Sequence, residues 1–285
     1  MSETPSKAPS SAPVGVDTAT ASIARVYDAA LNGKDNFEVD RQVLHEVARA
    51  APEVKTMAWS NRAFLNRACQ YLADEAGVRQ FLDCGSGLPT AENTHQIVQR
   101  VDPEAEVVYI DNDPVVIAHG KALLEENDHT HFASADIFDP GEVLGHETVR
   151  RHLDFDEPIA LLQIGTLHHY LGDDGPELMR TYIDALAPGS YVVLAHFFDP
   201  ETPEHSDLAR RMEELFLHSP MGSGLFRTRD QIRALLPGLD ILPPGPDSPA
   251  DIELCDLWWP NGPRQRPLNQ AESCIAGVVG RKNQR

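Results

Sequence analysis

Four places in the chain set an acid or a glycine at the end of an apolar run. The first is Phe81-Leu82-Asp83-Cys84-Gly85-Ser86-Gly87. In an open parallel sheet, ligands bind beyond the carboxyl ends of the strands, where glycines let the backbone come close. Gly85 and Gly87 permit that approach, with Asp83 and Ser86 beside them. A GxG turn alone is also an ordinary strand-to-helix turn, so its meaning depends on what reaches the same edge.

The second run, Glu106-Val107-Val108-Tyr109-Ile110-Asp111, closes on a carboxylate able to accept two hydrogen bonds from a ribose diol. Asn112 follows it, and Asp113 is the rival acid; a solvated acidic turn is the plain alternative. In the third, Asp136 of Ser134-Ala135-Asp136-Ile137 can accept from an adenine amine while Ile137 packs on the ring. The fourth ends at Gln163-Ile164-Gly165, facing the ligand edge. Together, in this order and spacing, they suit an adenosine-bearing ligand.

His168, His169 and His196 lie at or just after predicted strand ends, where a histidine tuned near neutrality can act as a general base. Packing at a helix start is the structural alternative for the adjacent pair. Arg62 offers a guanidinium fork to a ligand carboxylate, or is simply an exposed helix residue. Twelve histidines invite a metal reading, yet no HExxH or Cys/His grouping at zinc spacing occurs. His129-Thr130-His131 is the nearest candidate, in a loop leading into a strand, and no metal is expected.

The elements that must position these residues follow from periodicity. Ile23, Val26, Tyr27, Ala30 and Leu31, then Val39, Val43, Leu44 and Val47, recur at helical spacing on either side of a polar elbow at 32–37. A third helix is predicted over about 59–75. Residues 18–76 thus read as a helical N-terminal cap, or lid, ahead of a sheet, and 1–17 as a disordered Ser/Pro/Ala-rich tail. Beyond Gly77, short apolar runs alternate with amphipathic stretches, among them helices predicted near 91–101, 114–126 and 176–186. That alternation indicates βαβ units and a mostly parallel sheet over 77–285. Polar helices fill an insertion at 199–236, where Thr228 is a predicted cap, and 243–270 is a Pro/Gly-rich loop. A final strand, reached through that loop, is expected to close the sheet edge as an antiparallel hairpin. Trp258-Trp259-Pro260 can wall an acceptor pocket or cover the sheet edge, core packing being the commoner use of large aromatics.

The chain has 285 residues, 41% of them hydrophobic and 24% charged, proportions of an ordinary globular protein. Its formal net charge of -20, without a Lys/Arg run, disfavours polyanions, so neither nucleic acid nor a membrane surface is expected as a partner. Four scattered cysteines without a CxxC pair, and no secretory leader, fit a cytoplasmic protein with reduced thiols.

Across roughly 77–200 the chain resembles the class I S-adenosylmethionine-dependent methyltransferases, through DCGSG, YIDND, SAD, LHHY and LAPGSYVVL. Nearly the whole chain is similar to an actinobacterial methyltransferase family first described as a domain of unknown function; ARVYDAALNGKDNFEVDR, NRAFLNRA, QFLDCGSGLPT and NTHQI carry that likeness. The resemblance implies a Rossmann-like sheet of the seven-strand type, S-adenosylmethionine as cofactor and a small-molecule methyl acceptor. It also implies that Tyr27, Lys34 and Asn36 face the pocket. A nicotinamide-dependent oxidoreductase is the second reading. Against it, Thr90 occupies the third glycine position of the dinucleotide fingerprint and Pro89 precedes it. A non-catalytic protein that binds the same donor is the third.

Overall fold

The computed structural model describes residues 17–89, 92–123 and 127–283; the tail before 17 and Thr90 lie outside the described residues. Three helices come first: α1 (Ile23–Ala30), α2 (Glu38–Val47) and α3 (Lys55–Asp74). The sheet region then runs β1 (Gln80–Cys84), α4 (Thr94–Val98), β2 (Glu106–Asp111), α5 (Pro114–Leu123), β3 (Thr130–Ser134), α6 (Pro140–Gly145), α7 (Glu147–His152), β4 (Ile159–Ile164), α8 (Gly175–Ala185) and β5 (Tyr191–Phe197). After these come α9 (Pro203–His218), α10 (Arg229–Ala234), the two-residue strands β6 (Asp240–Ile241) and β7 (Glu253–Leu254), and β8 (Ile275–Arg281).

The strands form one sheet in the order β3-β2-β1-β4-β5-β8-β6, with β7 also paired to β8. β1 to β5 are mutually parallel, and β8 runs antiparallel to β5, from Tyr191 opposite Arg281 to Phe197 opposite Ile275. The edge is an antiparallel pairing of β6 with β8 across the long loop, as the sequence predicts. The sheet is mostly parallel and Rossmann-like, carrying the two-residue β7 in addition to the seven strands in that order.

Alternation along the strands explains their unbroken apolar runs, since both faces are covered. Phe81, Val107, Leu162, Val193 and Val279 pack on one face with residues of α1 to α3, in one continuous core. Leu82, Val108, Leu161, Val192 and Val278 pack on the other with α8 and α10. The N-terminal helices are therefore part of the main core rather than an appendage. α3 seats Phe64 directly over Gly277, where an added Cβ would lie 2.7 Å from the ring. Trp258 is fully buried against Phe64 and Tyr71, at ring-centroid distances of 5.3 and 5.9 Å, so the tryptophan pair is core packing beside α3.

Local chemistry fixes the element ends. Ser22 caps α1 through the Arg25 N–H, and Thr228 caps α10 through that of Gln231, the cap read from sequence. A buried ion pair, Arg25 Nε to Asp40 Oδ2 at 3.0 Å, joins α1 to α2. Asp40 also accepts from the N–H groups of Ser22 and Phe37, which satisfies the remaining lone pairs of a buried charge. The helix predicted near 91–101 is confined to Thr94–Val98, whereas α6 and α7 carry too short a periodicity to be read from sequence. No helix among the described residues is long and apolar enough to cross a membrane. All four cysteines are buried and unpaired.

Candidate functional site

The carboxyl ends of β1 and β4 lie side by side where the chain order of the sheet reverses, the place at which an open α/β sheet leaves a crevice. A cavity of about 590 Å³ opens there, floored by the strand ends and roofed by α1, α3 and the end of α9. Asp83, Gly85, Ser86, Gly87, Asp111, Asn112, Asp136 and Ile137 all line it, as the sequence predicts. Tyr27, Arg62, His168 and His169 reach it as well.

Gly85 and Gly87 take φ of +76° and +65°, a region that L side chains rarely enter. At Gly85 an added Cβ would also sit 2.4 Å from Thr166 Cγ2, so side-chain atoms are excluded from the floor. Asp111 binds the turn to its own strand. Its Oδ2 accepts from the Gly87 N–H and its Oδ1 from the Asp113 N–H, each at 2.9 Å. The carboxylate is only 8% exposed. Burial raises its pKa to about 6, against the lowering effect of those backbone donors. The rival Asp113 is occupied differently: its Oδ1 caps the first turn of α5, and its Oδ2 accepts from the Ser22 hydroxyl at the start of α1.

Asp83 accepts from the Thr94 hydroxyl at 2.6 Å; burial raises its pKa, and that bond and the Arg62 charge oppose the rise. Arg62 is not the exposed helix residue of the alternative reading, for its Nη2 is buried without a hydrogen-bond partner among the described residues. Asn61 Oδ1 and Ser86 Oγ are likewise buried and unpartnered. Three such atoms around one cavity are unusual, because a buried polar group without a partner is costly. They fit a ligand that carries several donors and acceptors, and the Asp83 and Arg62 pair suits an ammonium and a carboxylate on one small molecule. S-adenosylmethionine carries these groups, a ribose and an adenine.

The histidines divide. His168 stacks on Phe197 at 3.6 Å between centroids, and its Nδ1 accepts weakly from the Phe197 N–H at 3.4 Å, which leaves the proton on Nε2. His169 is oriented through Nδ1 by Ser223 Oγ at 2.8 Å. Burial lowers the pKa of His169 to about 3; burial, followed by neighbouring His169, His196 and Arg227, lowers that of His168 far below its usual value. Both are neutral at physiological pH. His196 stands apart from the lining: it is 0% exposed, its Nδ1 donates to the Phe197 carbonyl at 2.6 Å, and its Nε2 accepts from Arg227 at 2.6 Å. With both nitrogens engaged, it anchors the segment after α9 beneath the site.

Two donor-site candidates also fall outside the lining. Asn36 organises the polar elbow instead, donating to Asp28 at 2.7 Å and accepting from Arg41 at 2.9 Å, while Lys34 points outward and is exposed. Gln163 is wholly buried on β4 and accepts from Thr166 at 2.7 Å, which holds the turn at Gly165 from below. Sequence reasoning missed Asn61, Thr166, Phe197, Phe216 and Met221, all in the lining. Their signal was weak, because they come from separate helices and strand ends with no shared spacing.

A family profile described as S-adenosyl methyltransferase matches residues 9–283. A crystal structure from Thermobifida fusca, provisionally described as a methyltransferase, is 38% identical, with 97% of this chain and 100% of that chain covered and a TM-score of 0.89. A DUF574 family protein from Streptomyces avermitilis is 33% identical, with 93% and 99% covered and a TM-score of 0.84. No curated protein matches the sequence. The profile decides between the nicotinamide and methyl-donor readings in favour of the donor. The chain belongs to the S-adenosyl methyltransferase family and is an S-adenosylmethionine-dependent methyltransferase.

Proposed function

We propose that the enzyme transfers a methyl group to a small, largely apolar acceptor held between α1, α3, the end of α9 and the carboxyl ends of β4 and β5. The donor supplies an activated methyl on a sulfonium, so the protein's task is alignment and exclusion of water. Asp111 accepts from the ribose hydroxyls, Asp136 and Ile137 receive the adenine, and Asp83 and Arg62 take the ammonium and carboxylate. Ser86 and Asn112 frame the turn, and Tyr27, tethered to Ala58 and Asn61, holds the roof in place.

The observation that supports this reading most is the set of buried, unpartnered Arg62, Asn61 and Ser86 atoms around the glycine turn that Asp111 clamps. On the acceptor side Phe197, Phe216 and Met221 form an apolar wall, and the neutral His168 and His169 face the same space. His168 donates from Nε2. His169, turned by Ser223, offers a lone pair that orients an acceptor hydroxyl or amine; burial holds its pKa at about 3 rather than near neutrality, so its part is alignment rather than proton removal.

Methyl-labelled S-adenosylmethionine incubated with the enzyme and small phenols, alcohols and amines tests the proposal. The expected result is S-adenosylhomocysteine release that depends on an apolar acceptor and is lost with His169→Ala. Transfer confined to charged acceptors, or to macromolecules, would contradict it.

A further inference from the structure

At the amino ends of the strands, away from the cavity, β2 and β3 meet the last turn of α7. Glu106 opens β2, His131 is the second residue of β3 and His152 closes α7. His131 Nε2 lies 3.1 Å from Glu106 Oε2. The His131 and His152 rings stack at 3.4 Å with 20° between their planes. One ligand atom from each of the three residues lies within 4.8 Å of the others. The other Glu106 oxygen is held by His129 Nδ1 at 2.7 Å.

Two imidazoles stacked this closely repel each other if both are protonated. A neutral imidazole is the form that ligates a metal.

We propose that Glu106, His131 and His152 bind one divalent transition-metal ion of the zinc type, tying α7 to the amino ends of β2 and β3. Two imidazoles and a carboxylate are a recognised zinc donor set, with water completing the coordination. Metal-to-ligand bonds of about 2.0–2.2 Å put tetrahedral ligand atoms about 3.3 Å apart, so binding draws the three atoms together from within 4.8 Å and turns the His152 ring out of its stack on His131, to aim a nitrogen at the same point. His129 acts on the carboxylate rather than the metal, fixing its orientation through the second oxygen.

The third ligand comes from a helix with no spacing relation to His129-Thr130-His131, which is why the sequence reading expects no metal. Glu106 and Asp111 stand at opposite ends of the six-residue β2, about 16 Å apart at ordinary strand rise. The ion therefore touches nothing in the methyl-transfer cavity. Its role is to stabilise the fold, since an ion that binds only the folded chain raises its stability by mass action.

The test uses the full chain, stripped with a chelator and titrated with Zn²⁺ by calorimetry and with Co²⁺ by visible absorption. The expected result is stoichiometric binding, with Co²⁺ bands of low-coordinate geometry that Zn²⁺ displaces. His152→Ala and Glu106→Gln should each weaken binding by about tenfold or more, whereas His45→Ala, on the exposed face of α2, should leave it unchanged. His152→Asn replaces His152→Ala should that variant fail to fold, melting curves and S-adenosylhomocysteine binding serving as the check. No stoichiometric binding, or binding that both ligand variants leave intact, would overturn the site and leave an ion-pair cluster.

Discussion

The two halves of the cavity are built from opposite materials. Beyond β1, β2 and β3 the lining is charged and close to the backbone: Asp83, Asp111, Asp113 and Asp136, with two glycines at positive φ. Beyond β4 and β5 it is apolar and made of side chains, with Phe197, Phe216 and Met221 around two histidines that burial keeps neutral. The difference matches two tasks. Under the proposed function, a donor of fixed structure meets fixed polar groups on strand ends, whereas the acceptor half selects by shape and desolvation.

Several measurements can break or sharpen that division. His169→Ala should act on the acceptor half alone, lowering kcat about 10²-fold through lost alignment while the affinity for S-adenosylhomocysteine stays put. A matched loss in both would join the two halves. Gly85→Ala should do the reverse. With φ at +76° and Thr166 Cγ2 at 2.4 Å from the new Cβ, the turn must shift, and a cost of about 1–3 kcal/mol should appear as weaker donor binding and a lower melting temperature.

The pH dependence tests the donor half through Asp111. Its folded pKa, about 6, lies above the ordinary aspartate value of 3.8, so the folded chain binds that proton more tightly than the unfolded chain does. The stability this confers is complete below 3.8 and is lost as pH rises through about 6. In the proposed site the donor hydroxyls need the ionised carboxylate, so affinity for S-adenosylhomocysteine should fall by up to about tenfold per pH unit as pH drops below about 6. The thermal shift it produces should be larger at pH 8 than at pH 5. A flat profile would remove Asp111 from the ribose. Smallest of all, Met221→Ala should raise the KM for an apolar acceptor severalfold and leave donor affinity unchanged.

The same contrast explains what could be read in the chain beforehand. The donor half was legible because each residue sits at a strand end with its own local signature. Asp83 to Gly87 and Asp111 are adjacent in the fold because parallel neighbouring strands in register, Leu82 beside Val108, end at the same edge. The sheet was legible through its buried apolar runs β1, β2, β4, β5 and β8, whereas the two-residue β6 and β7 carry no such pattern. His196 and Gln163 were misleading because strand ends alternate their faces: outside the cavity lining, His196 has both nitrogens in hydrogen bonds, and Gln163 accepts from Thr166 with its Nε2 buried and unpartnered. Asn36 sits in a segment that carries the family likeness, yet its bonds to Asp28 and Arg41 serve the elbow. Asn61, Phe216 and Met221 had no legible signal, for only the packing of α3 and α9 over the sheet brings them together.

Calorimetric titration of S-adenosylhomocysteine into the wild-type enzyme and Asp111→Ala bears most directly on the central claim, that the acid ending β2 holds the donor's ribose over the glycine turn. Saturable binding by the wild type, weakened in the variant by about 1–3 kcal/mol, is the predicted result. Equal affinity in the two folded proteins would contradict it.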